Sequence, residues 1–111
     1  QPSIHQGYLG RARANVGLDP EKKTWQAKPF FEEALRRMKP EEIAGKAARD
    51  AEEAMFYLAF HHFYGSKDLP TAKCWFEKVK ALNTGTERTK QSSDMLLSKE
   101  LKDVTVGTCE L

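Results

Sequence analysis

The sequence predicts an all-α chain: a right-handed array of antiparallel helical hairpins, two hairpins followed by a C-terminal capping helix. Three observations carry the prediction. Apolar residues recur at three- and four-residue steps over most of the 111 residues, a spacing that puts them on one face of a helix. Turn-forming residues interrupt these runs at Gly17 to Lys23 and again at Gly65 to Asp68. Finally, Lys28 to Leu35 (KPFFEEAL) is echoed by Lys73 to Lys80 (KCWFEKVK), so Ala27, Phe31 and Ala34 repeat the spacing of Ala72, Phe76 and Val79.

The first helix is predicted from Ile4, Tyr8, Leu9, Ala12 and Val16, with Gly7 and Gly10 weakening it in isolation. Asp19 and Pro20 punctuate the turn that follows. Trp25, Ala27, Phe30, Phe31, Ala34, Leu35 and Met38 then mark a second helix. Pro40 begins a long third helix that continues to Tyr64 with Gly45 as its only weak point. An Ala-rich stripe of Ala44, Ala47, Ala48, Ala51, Met55 and Leu58 runs along it. After Gly65 to Asp68, Pro70 suits the first turn of a fourth helix, whose buried face is Ala72, Trp75, Phe76, Val79 and Leu82. Asn83 to Gly85 supplies its stop. Met95, Leu96, Leu97 and Leu101 give residues 86–103 a modest apolar face, read as the cap that an array of repeats needs at its end. Residues 104–111 have no periodicity and read as a frayed tail.

Small and large residues alternate in a particular order: Leu58 then Ala59 in one helix, and Ala72, Phe76 and Val79 in the next. This pattern resembles the tetratricopeptide (TPR) repeat, in which a Leu-small pair on the first helix meets an Ala, an aromatic and a small residue on the second. Leu9 and Gly10 supply the pair of an earlier unit. Sel1-like repeats are matched almost as well by Gly65, Asp68 and Trp75, and the two stay open at this level. The resemblance implies a single domain of residues 1–103, with repeat one at about 4–38, repeat two at about 41–83, and a superhelical stack. Two departures stand out. Ala27 and Ala72 are 45 positions apart against a usual period of about 34 residues, a difference assigned to the long third helix. Thr84 also replaces the Pro that commonly follows a second helix.

Composition narrows the function. Near a third of the residues are charged, yet the formal net charge is only +2, which gives no reason to expect a nucleic-acid partner. No run approaches the roughly 20 apolar residues that cross a bilayer, so a soluble chain without a membrane span is expected. The start at Gln1 without methionine suggests a processed protein or the C-terminal piece of something longer. Cys74 and Cys109 are too few for a disulfide framework and are read as free thiols.

Candidate chemistry is sparse. His61 and His62 point about a hundred degrees apart on a helix and do not share an ion readily; Cys74 has no oxyanion turn or orienting partner in sequence. The acidic pairs Glu32-Glu33, Glu41-Glu42 and Glu52-Glu53 are neighbours that do not converge on one substrate, and are read as solvated faces paired with Arg36, Arg37 and Arg49. Lys22, Lys23 and Trp25 form a weak basic and aromatic patch interrupted by Asp19 and Glu21. No enzymatic role, metal or cofactor is expected. The aromatic density of the third helix is different, because Phe56, Tyr57, Phe60, Phe63 and Tyr64 cover more than one face. In the TPR family the inner surface is made by first helices. The resemblance therefore implies a groove for a protein or peptide partner, with Phe56, Phe60 and Tyr64 in the later unit and Arg11 and Asn15 in the earlier one. Gly7 and Arg11 stand where carboxylate-gripping members carry a Lys and Asn constellation, which argues against that mode. The alternative is an assembly segment whose aromatic surface is covered by further repeats or, in a homo-oligomer, by a second copy.

Overall fold

A computed structural model describes residues 4–111; the first three residues of the expected domain lie outside that range. Helix α1 spans Ile4–Leu18, α2 Lys28–Arg36, α3 the single turn Pro40–Ile43, and α4 Ala48–Phe60, which passes into a π-helical turn at His61–Gly65. Helix α5 is Leu69–Leu82 and α6 is Glu87–Leu97. Every regular element among the described residues is helical. Sequence neighbours are neighbours in space: α1 packs on α2, α2 on α4, α4 on α5 and α5 on α6.

The repeated residues are the core of this stack. Leu58, Ala59, Ala72, Phe76, Val79, Ala27 and Ala34 are fully buried, and Phe31 nearly so. Alanine at the crossings lets backbones approach, and the two rings fill the gaps that remain. Each buried ring contributes about 2–3 kcal/mol. The two units differ at the Leu-small pair, however. Ala59 is buried, whereas Gly10 is exposed and a Cβ there would meet nothing within 4 Å. No close helix approach requires a small residue at Gly10.

The long third helix is broken in the structure. After α3 the chain passes through a turn at 44–47 and restarts at Ala48. Ala47 N–H reaches back to the Glu42 carbonyl at 2.8 Å, and Ala48 N–H to that of Gly45 at 3.1 Å. The expected stripe splits accordingly: Ala44 is exposed while Ala47, Ala51, Met55 and Leu58 are buried. Helix α2 also starts later than expected, because Trp25 has φ 54° and belongs to the preceding loop. Asp68 caps α5, accepting from Thr71 N–H, with Pro70 in its first turn, and Asn83 ends it in the left-handed conformation at φ 51°.

Two expectations are corrected at the C-terminus. Helix α6 stops at Leu97, and residues 98–103 form a turn that buries Leu101 completely. Cys74 and Cys109 are not free thiols: they form a disulfide with Cα atoms 5.8 Å apart. Residues 104–111 therefore lie along α5, and Cys109 is only 4% exposed. A separation of 35 residues conceals this pairing in the sequence, since only the fold brings the two cysteines together.

Glu52 is a further correction. Read as part of a solvated face, it is fully buried. Thr86 Oγ1 donates to its Oε1 at 2.7 Å, Thr84 Oγ1 donates to Oε2, and Thr89 Oγ1 to Oε2 at 3.3 Å. Arg88 lies 3.6 Å away. Thr86 is also the N-cap of α6, accepting from Thr89 N–H, so the carboxylate sits at the positive end of that helix. Its neighbour Glu53 turns the other way and forks onto Arg13 of α1 at 2.7–3.2 Å. Adjacent carboxylates thus join α4 to opposite ends of the stack.

Candidate functional site

Helix α4 presents Phe56 and Phe60 four residues apart, and the π turn carries Tyr64 four further on. The i→i+5 bonding of that turn widens it, so residues four apart stand nearly in line. Phe60 and Tyr64 are accordingly stacked, with centroids 5.7 Å apart and planes 8° from parallel. Phe60 meets Phe56 edge-on at 4.9 Å and Phe76 at 5.1 Å. The ladder is rooted in the core at Phe76 and reaches solvent at Tyr64, which is 58% exposed.

The opposite wall comes from α1 and the loop after it. Asp19 is buried, and its carboxylate accepts from the backbone N–H groups of Lys23, Thr24 and Trp25, at 2.8 Å for Trp25. Burial would push the Asp19 carboxyl up, but these amides outweigh it and hold it below its ordinary 3.8. The loop so gathered has positive φ at Lys22 and Trp25, a conformation that costs free energy in a non-glycine residue and survives because the carboxylate supports it. Its product is the position of the Trp25 ring, edge-on to Tyr57 at 5.5 Å and to His61 at 5.4 Å. Gly65 completes the seat. A Cβ there would fall 2.9 Å from the indole nitrogen of Trp25 and 3.1 Å from His61 Nδ1.

Between the walls lies a cavity of about 610 Å³, lined on the α4 side by Phe56, Tyr57, Phe60 and Tyr64 and on the other by Val16, Lys22 and Trp25, with Phe31 also contributing. Glu21, Glu53 and Arg88 complete the lining. Phe56, Phe60 and Tyr64, singled out in sequence, thus come together. Arg11 and Asn15 do not join them. Arg11 lies over the Tyr8 ring at 5.6 Å. Asn15 donates to the Arg11 carbonyl and accepts from Gln26 at 2.8 Å each, bracing the loop from behind. Trp25 and Lys22, read in sequence as a weak basic and aromatic patch of their own, are the residues that the structure adds to this lining. The signal that could have placed them was Asp19, whose side chain organises the loop.

His61 and His62 begin the π turn. Burial, then the neighbouring His62 and Lys28 charges, hold His61 below 6.5; burial and Lys28 do the same to His62, against Asp68 and Glu32. His61 Nδ1 is buried without a hydrogen-bond partner, while His62 Nδ1 lies 3.1 Å from Ser66 Oγ. The unfolded chain therefore binds protons that the folded one resists. This part of the stability is fully present above pH 6.5 and falls as pH drops through 6.5 toward the lowered folded values. The lowered carboxyls of Asp19, Glu33 and Asp68 are lost only below 3.8–4.5. Thermal melts between pH 7 and pH 4.5 are expected to show a falling midpoint that the double variant His61→Gln, His62→Gln makes markedly shallower. An unchanged slope would place the effect elsewhere.

Among the described residues, no three His, Cys, Asp or Glu side chains come together to hold a metal ion, and no helix is long and apolar enough to cross a membrane. No family model, characterised protein or solved structure matches the chain.

Proposed function

We propose that this chain is a non-catalytic interaction module, a TPR-like stack of helical hairpins that binds a peptide or protein segment in the groove between α1 and α4. The observation that carries the reading is the aromatic ladder of Phe56, Phe60 and Tyr64, which together with Trp25 lines a cavity of about 610 Å³. Rings held by a core contact at one end and a braced loop at the other lose little freedom on binding, so the ordering cost falls on the partner. The buried repeat residues and the sequential packing of helices support the TPR-like reading of the fold.

Tyr64 is the cleaner probe, since Phe60 also packs on Phe76. Peptides of about 12 residues selected by display against the chain are expected to shift backbone resonances of α4 and the Trp25 loop. They are expected to lose roughly tenfold in affinity, about 1.4 kcal/mol, on Tyr64→Ala, with helicity and melting temperature nearly unchanged. Selected peptides that map to another face, or that ignore Tyr64→Ala, would sink the proposal.

A second reading has its own support. Ile4 and Leu18 on α1 and Leu97 on α6, the first and last helices, are 66–77% exposed. Such residues fit an assembly piece, covered by further repeats or a second copy. Light scattering across a concentration series distinguishes a homo-oligomer from a monomer whose groove is free.

A further inference from the structure

The segment after α6 is held to α5 in two different ways. Up to Gly107 the anchors are non-covalent. Lys73 Nζ donates to the carbonyls of Leu101, Lys102 and Val104 at 2.7–3.2 Å, and Gly107 N–H donates to the Pro70 carbonyl at 3.0 Å. Gly107 is pressed so closely on Pro70 that a Cβ would lie 3.0 Å from it. Beyond Gly107 the polar hold shrinks to one contact, the exposed Lys78 reaching the Cys109 carbonyl at 3.3 Å. The rest of the hold is the bond between Cys74 and Cys109.

This last segment is part of the wall of a second cavity of about 400 Å³, which Cys109, Glu110 and Leu111 line together with Leu35, Ile43, Met55 and Trp75. Leu35, Met55 and Trp75 are buried, so displacing the segment changes which core residues meet solvent.

We infer that residues 108–111 are a thiol-gated latch, hinged at Gly107, that holds one wall of this cavity in place when Cys74 and Cys109 are joined and lets it swing away when they are reduced. The opening reaction is thiol–disulfide exchange with a dithiol. One thiolate attacks a sulfur of the bond and forms a mixed disulfide, expelling the other cysteine as thiolate, which takes up a proton. The second thiol of the reductant then closes its own disulfide and releases the remaining cysteine. Two electrons and two protons pass to the protein, and the reductant leaves oxidised. Cys74 is half-buried rather than enclosed, which leaves the bond approachable from the α5 side. Short of Gly107, the Lys73 and Pro70 contacts remain, so the motion stops at the hinge.

The test compares the oxidised chain, the chain in dithiothreitol, and the Cys74→Ser, Cys109→Ser double variant, by amide relaxation measured residue by residue. Reduction and the double variant are both expected to drop the order parameters at 108–111 from about 0.85 to below about 0.6, leaving 98–107 and α4 at rigid values. In a Trp25→Phe background, acrylamide should quench Trp75 more strongly after reduction, and oxidised glutathione should reverse both changes. Rigid values at 108–111 that survive reduction would overturn the latch. So would loss of rigidity in α4 and 98–107 together with 108–111, which would mean that reduction unfolds the chain rather than freeing its end, or two titratable thiols in the unreduced protein.

Discussion

Replacing both Cys74 and Cys109 with serine is expected to lower the unfolding free energy by roughly 4 kcal/mol. The bond closes a loop of 35 residues, and the chain-entropy relation for a loop of that size gives about 3.8 kcal/mol at 25 °C. Its native geometry is supported from both sides by Lys73, Lys78 and the Gly107–Pro70 contact, so the loss resides mainly in the freedom that the unfolded chain regains. Urea titrations of the oxidised protein and the double variant measure it directly, as a lower midpoint. A difference below about 1 kcal/mol would mean that the bond is not formed, or that the unfolded chain is already compact in this region. Because the fold is small, a loss of this size is a large part of its total stability.

Glu52→Ala is the second substitution with a large expected effect, about 3 kcal/mol. A buried carboxylate holding three threonine hydroxyls and facing Arg88 cannot be deleted without leaving those groups short of partners, and hydrogen bonds to a charged group are each worth about 1.5–3 kcal/mol. Arg88 is 42% exposed, so it regains water and moderates the cost. Glu52→Gln keeps the shape and one acceptor but removes the charge at the start of α6, and should cost roughly half as much. If Glu52→Gln and Glu52→Ala proved equally mild, the threonine cluster would be held by α6 itself rather than by Glu52. Since α6 covers α5, melting of α6 ahead of the rest is the expected local signature in Glu52→Ala.

Much of the helical plan was legible because it is written in local terms. Periodicity placed Leu9, Phe31, Leu58 and Phe76 in one core, and Pro70 and Asn83 marked the ends of α5 through backbone properties that belong to single residues. The Phe56, Phe60 and Tyr64 ladder was visible for the same reason, as a four-residue spacing on one helix. The break at 44–47 was not, since Gly45 is only a weak breaker and the alanines around it are good helix formers. Trp25 was assigned to a helix because its apolar spacing fits one. A carboxylate six residues earlier instead draws its backbone into a left-handed turn.

The sequence by itself determined where most of the helices lie and which of their faces are apolar, because both follow from steps of three and four along the chain. Only the tertiary structure decided that Glu52 is buried and Glu53 is not, that Trp25 joins Tyr64 in lining one groove while Arg11 and Asn15 stand aside, and that Cys109 meets Cys74. Each of these depends on a contact between residues far apart in the chain. Their partners are chosen by how the helices stack, and no local pattern records that choice.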